Sequence, residues 1–165
     1  MGLVASLEVV PSAVFKRHKT ALDKLEVPGG APSFALDKAW LQFHTTFRAM
    51  PKPLCLAISG DHAAYGRLEG GLVRALGGEP RDDEDESEEE LGDDFYLGYA
   101  SPALVQKVDQ ALRSLTEEQM LAAVKAAGWS LGTGGKKYYE TAFRELKKAY
   151  NAAAKKKDAL QVLIT

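Results

Sequence analysis

"FYLGYASPALVQKVDQALRSLTEEQM", residues 95–120, contains the change of period on which the fold turns. Its first residues, Phe95 to Tyr99, form a short aromatic and apolar run that reads as a buried strand. Ser101 then offers a side-chain oxygen as a helix cap. Pro102 takes the first helical position, where its missing N–H is harmless. Thr116 with Gln119 three residues later is a capping box opening "TEEQMLAAVKAAG", and Gly128 suits the end of that helix.

Three further runs read as strands: Gly2 to Val10, "LCLAIS" from Leu54 to Ser59 after the breaker "PKP", and "ALQVLI" from Ala159 to Ile164. Helical signals lie between them. Pro11 or Ser12 opens a segment in which Val14, His18, Ala21, Leu22 and Leu25 share a face, ending before "VPGGAPS". Asp37 is a suitable N-cap for a helix carrying Trp40, Phe43, His44 and Phe47 at i, i+3, i+4, i+7 spacing. Tyr139, Phe143, Leu146, Tyr150 and Ala153 make the apolar stripe of a long last helix. No regular βαβ repeat emerges. The expected fold is α+β: a single compact domain over residues 1–165, with a small sheet of about four short strands and about five helices.

With 165 residues, 45% of them hydrophobic and 27% charged, the chain can bury a core without staples. No run of about 18 apolar residues is present, so no membrane span and no membrane partner are expected. "MGLVASLEVVPS" lacks a basic n-region and is broken by Glu8 and Pro11, unlike a secretory signal. "MGLVAS" matches the short myristoylation template, but the run reads better as a first strand. Cys55 is the sole cysteine and has no disulfide partner in the chain. Together these features make a cytoplasmic setting the expectation.

Charge is strongly divided along the chain. Between Glu79 and Asp94, eleven acidic residues share sixteen positions with one arginine, a net −10. Totals of 23 acidic and 21 basic residues leave 12 acidic and 20 basic elsewhere, a body at +8. Lys136, Lys137, Arg144, Lys147, Lys148, Lys155, Lys156 and Lys157 concentrate that excess on the last helix. The acidic stretch is expected to be a flexible surface loop. Asp82, Asp83, Glu84, Asp85, Glu86, Glu88, Glu89 and Glu90 within it are the candidate partner-binding residues, on an arm that screens the basic helix or docks on a basic partner. The stretch lacks the spacing and central glycine of a calcium loop.

Catalytic signals are sparse. "GTGGKK", Gly132 to Lys137, departs from the phosphate-loop spacing, has Lys137 where a hydroxyl is needed, and reads as a helix entry. His18, His44 and His62 lie in no metal-binding pattern, so neither metal nor cofactor is expected. His18 and His44 fall on apolar helix faces, whereas His62 in "GDH" follows an expected strand end. Ser59 lacks the nucleophile-elbow pattern, and Cys55 inside an apolar run reads as a buried thiol. No nucleic-acid motif accompanies the basic helix, so no nucleic acid is expected as a partner.

"LDKAWLQFH", "LCLAISGDH", "YLGYASPALVQKVDQALRSLTEEQM" and the closing "ALQVLI" occur in that order. With the "MG" start and its first strand and helix, the chain resembles the YfbM-like family of bacterial proteins of unknown function. The most specific elements are Leu36-Asp37-Lys38 with Trp40 and His44, then Gly60 with His62. The resemblance implies a single α+β domain and no established activity, so it transfers no catalytic residue. Two regions depart from the family pattern: the highly charged 79–94 stretch and the glycine-rich "GWSLGTGGKKYY".

Two functions follow as expectations. One is a non-enzymatic protein-interaction module, immunity- or antitoxin-like, acting as a monomer or weak homo-oligomer on a protein partner through its divided charge. The other is a small enzyme gathering Asp37, His44, Asp61 and His62 at strand ends, with a histidine poised by a carboxylate as general base. For Trp40 and His44 core packing is the simpler reading, since burying an aromatic of that size contributes about 2–3 kcal/mol.

Overall fold

Val10 and Ala159 face each other at one end of a six-residue antiparallel pairing, with Ala5 and Ile164 at the other, that joins the first and last described strands. The computed structural model describes residues 4–65 and 96–165. In chain order these form β1 (Ala5–Val10), α1 (Ser12–His18), a 3-10 turn (Leu22–Lys24), β2 (Ser33–Asp37), α2 (Ala39–Arg48) and a second 3-10 turn (Leu54–Leu56). Then come β3 (His62–Tyr65), β4 (Tyr96–Ala100), α3 (Pro102–Ser114), α4 (Glu117–Ala126), α5 (Gly132–Lys156) and β5 (Ala159–Ile164).

The sheet order is β2-β1-β5-β4-β3, with each neighbouring pair antiparallel. β5 lies in the middle, which explains why "ALQVLI" is buried on both faces, with Gln161 its one polar side chain. Leu160, Val162 and Ile164 enter one core with Leu7, Val9 and Ala100, under α2, α3, α4 and α5. Ala159 enters the other with Val10, Phe15, Leu22, Leu25 and Tyr99, under α1 and the first turn. On that second face a polar chain runs from the Tyr99 hydroxyl to Gln161 Oε1 (2.8 Å) and from Gln161 Nε2 to Glu8 (3.2 Å).

The helix signals translate directly. Ser101 Oγ accepts from the Leu104 N–H, Thr116 and Gln119 complete their capping box, and Gly128 ends α4 at φ +92°. Tyr139, Phe143, Leu146, Tyr150 and Ala153 are all buried along α5. Trp40, Phe43, His44 and Phe47 are buried along α2, and the Phe43 ring lies 5.6 Å from Phe47 and 6.2 Å from both Tyr139 and Phe143.

Among the described residues five strands are present rather than about four, and their membership differs. Leu54 to Ser59 is not a strand. Its amides close tight turns, Leu54 N–H to Pro51, Leu56 to Pro53, Ala57 to Leu54 and Gly60 to Leu56. The apolar run reports the burial of Ala57 and Ile58, and burial alone does not choose a period. Cys55 is accordingly only partly buried and not the fully buried thiol expected. β2 and β3, absent from the sequence reading, are the short edges of the described sheet, where alternation is weakest. The first helical segment is also shorter than expected, ending at His18 before the separate turn at Leu22.

Asp37 is not the N-cap of α2. It ends β2 in the left-handed region at φ 49°, which aspartate tolerates better than most residues, and Lys38 takes the cap position without a side-chain bond. The acidic stretch from Glu79 to Asp94 lies outside the described residues.

Candidate functional site

Gly60 turns the chain from the second 3-10 segment into β3 at φ +72°. A Cβ there would lie 2.2 Å from the Tyr99 carbonyl oxygen, so only glycine permits this close approach to β4. The turn delivers Asp61 to the start of α3. Its carboxylate accepts from the Ser101 N–H at 2.7 Å and from the Ser101 hydroxyl at 2.6 Å. The same hydroxyl oxygen accepts from Leu104 N–H at 3.3 Å, so Asp61 clamps the N-cap of α3.

His62 follows on β3, opposite Tyr99 in the antiparallel register. Its Nδ1 lies 3.0 Å from Asp61 Oδ1 and its ring meets Phe15 edge-on at 5.5 Å. The imidazole is partly exposed, at 29%. Burial pushes the Asp61 carboxyl up, but the Ser101 hydroxyl, the Ser101 amide and His62 together outweigh it, leaving the group below its usual value. A carboxylate fixing one imidazole nitrogen is half of a general-base arrangement.

The other half is not built here. In a serine triad the histidine stands between carboxylate and hydroxyl. At this site Asp61 stands between Ser101 and His62, and the Ser101 proton goes to the carboxylate. Ser101 is therefore held as a structural cap and not activated as a nucleophile.

The four catalytic candidates separate. Asp61 and His62 come together. His44, 5% exposed, is sealed on α2 beneath the other face of the sheet, away from the Phe15–Tyr99 side on which His62 lies. Asp37 accepts from the Tyr138 hydroxyl at 3.2 Å, joining the end of β2 to α5. His18 Nδ1 lies 3.0 Å from the Val14 carbonyl within its own helix. Ser101 is the site member that sequence reasoning missed as a partner of Asp61: forty positions separate the two, and no local pattern encodes the contact. Among the described residues no three His, Cys, Asp or Glu side chains converge as a metal site, and no helix is long and apolar enough to cross a membrane. "GTGGKK" is a kinked helix entry, with Thr133 and Gly134 outside helical geometry.

Among the described residues, an antiparallel sheet with β5 at its centre and four helices on one face gives the molecule an α+β architecture of the YfbM-like fold. One solved structure to which it is similar is that of YfbM from Escherichia coli, a protein of unknown function. The match covers 98% of this chain and 99% of that one, with a TM-score of 0.61 and 15% sequence identity, a likeness of fold. No family model matches the chain, and no relative is found among curated proteins.

Proposed function

We propose that the protein is a non-enzymatic interaction module, immunity- or antitoxin-like, that engages a protein partner through its divided charge. The observation that carries this reading is the −10 stretch at 79–94 set against a body at +8. Lys136, Lys148 and Arg144 stand out from α5 with side chains 72%, 64% and 56% exposed, in keeping with a contact surface. Segregated charge gives fast, salt-sensitive association with a complementary surface. The test is affinity capture from host lysate at low salt, comparing the full chain with one lacking residues 79–94. A stoichiometric partner lost on deletion or at raised salt is the expected result. Capture that is indifferent to both removes the basis of the reading.

One observation favours a second reading, a small enzyme. The Asp61–His62 pair, at 3.0 Å and partly open to solvent, has the geometry of an oriented base. On this reading the site narrows to those two residues, without His44 or Asp37. His62→Ala would then abolish any turnover found in a hydrolase substrate screen while leaving the fold intact. Turnover that survives His62→Ala ends this alternative.

A further inference from the structure

We propose that the cleft between α3 and α5 seats acidic side chains of a protein partner. This rests on the interaction reading above and locates the basic half of its surface. The cleft is a cavity of about 250 Å³ lined by Asp109, Leu112, Arg113, Lys147, Lys148 and Asn151. Three cations against one carboxylate give this lining a net charge of +2. It is assembled from two helices, so the charge faces a concavity instead of being spread along one exposed stripe.

Each cation is already held in place. The Arg113 guanidinium donates to Asp109 Oδ2 at 2.6 Å, and that carboxylate is only 8% exposed. Lys147 Nζ donates to the Leu115 carbonyl at 2.6 Å and lies 4.7 Å from the centre of the Phe143 ring. Lys148 Nζ lies 2.7 Å from Glu145 Oε1 on the same helix. Arg113 and Lys148 nevertheless remain 62% and 64% exposed, and a guanidinium or ammonium carries more N–H groups than one contact uses. Cations fixed in advance lose little side-chain entropy when a carboxylate arrives, which favours binding.

The lining also selects the kind of anion. Asp109 lies within it, and Glu145 faces Lys148, so a compact, multiply charged phosphate meets repulsion at short range. Singly charged carboxylates spaced along a peptide can approach Arg113 and Lys148 separately, through the N–H groups that Asp109 and Glu145 leave free. The apolar floor at Leu112 and the Asn151 carboxamide suit the methylenes and carbonyls of such a peptide.

The probe is a fluorescently labelled oligoglutamate peptide, titrated into the full chain at low salt and followed by anisotropy. Arg113→Glu with Lys148→Glu is expected to weaken binding by about ten-fold or more, since opposed charges at the contact replace attraction. Lys16→Glu with Arg17→Glu, both exposed on α1, makes the same change of net charge outside the cleft and is expected to act within about two-fold. The neutral pair Arg113→Gln and Lys148→Gln, with an unchanged melting temperature, guards against a folding artefact and is expected to give an intermediate loss. Equal losses in the two reversed pairs, or no binding by the full chain, overturn the proposal. Binding that appears only after removal of residues 79–94 overturns the partner assignment in favour of the chain's own acidic run. Equal competition by a single-stranded oligonucleotide overturns it in favour of a general polyanion surface. If the peptide fails while lysate capture still yields a salt-sensitive partner, the cleft assignment falls and the interaction reading stands.

Discussion

The Asp61 carboxylate accepts two hydrogen bonds from Ser101, one from its backbone N–H at 2.7 Å and one from its hydroxyl at 2.6 Å. These bonds join the turn before β3 to the first residue of the α3 cap. Asp61→Asn and Ser101→Ala are each expected to destabilise the fold by about 1–2 kcal/mol, after allowance for partial exposure. The double variant should cost clearly less than the sum, because both changes remove the same contact. Urea unfolding of the four proteins measures that coupling, and strict additivity would mean that the clamp contributes nothing.

The same clamp sets a direction for acid stability. Asp61 titrates below its usual 3.8 in the folded chain, because the bonds from Ser101 and His62 outweigh the opposing effect of burial. A depressed carboxyl contributes stability that is fully present above the unfolded value and is lost as pH falls through the folded one. Between about pH 5 and about pH 2 the parent should therefore lose more stability than Asp61→Asn. Parallel curves for the two proteins would contradict the assignment.

Gly60 and Gly128 separate two reasons for a glycine. Both have positive φ, +72° and +92°, but a Cβ at Gly60 meets the Tyr99 carbonyl at 2.2 Å whereas at Gly128 nothing lies within 4 Å. Gly128→Ala should cost about 1–2 kcal/mol of left-handed strain alone. Gly60→Ala must also push β3 from β4 and is expected to cost about twice that or more, or to prevent folding. Comparable melting temperatures for the two variants would count against the close approach.

What the sequence made legible was whatever is encoded over a few neighbouring residues. The Ser101-Pro102 cap, the Thr116–Gln119 box and the α5 stripe are local chemistry at fixed spacing, and each appears as expected. Trp40 and His44 on α2 are core, as their helical spacing implied. "LCLAIS" was misread because an apolar run signals burial and not period. Asp37 was misread because a residue that can cap a helix can also turn in the left-handed region. The long-range contacts of the candidate residues were invisible for a different reason. Asp61 with Ser101 and Asp37 with Tyr138 join residues forty and about a hundred positions apart, and that pairing is set by the sheet order.

Thr116 tests how far α4 depends on its cap. Its hydroxyl accepts from the Gln119 N–H at 3.1 Å while the Gln119 side chain accepts from the Thr116 N–H at 3.0 Å. The helix has only ten residues and buries Met120, Leu121 and Val124, so it has few turns to compensate for a frayed start. Thr116→Ala should cost about 1 kcal/mol and Thr116→Ser very little, as read from denaturant midpoints. Equal effects of the two changes would show that the cap is not what holds this end.

The tyrosines give a prediction at alkaline pH. Burial pushes Tyr96 up to about 12, and burial with the charges of Glu8 and Asp23 does the same for Tyr99. Tyr150 is raised further still by complete burial and by Asp61, and its hydroxyl donates to the Ala57 carbonyl at 2.7 Å. A raised phenol contributes stability that is complete below its unfolded value near 10 and is lost as pH climbs through the folded one. Spectrophotometric titration should therefore find these three of the six tyrosines silent at about pH 10, with Tyr96 and Tyr99 ionising at about pH 12 and Tyr150 later still or with unfolding. Tyr150→Phe leaves the Ala57 carbonyl without that donor, so it should cost about 1–2 kcal/mol at neutral pH. It should also reduce the loss of stability above about pH 10, because one strongly shifted group has gone. If all six tyrosines ionise reversibly near their usual value in the folded chain, the Tyr150–Ala57 contact and the closed core around it are both wrong.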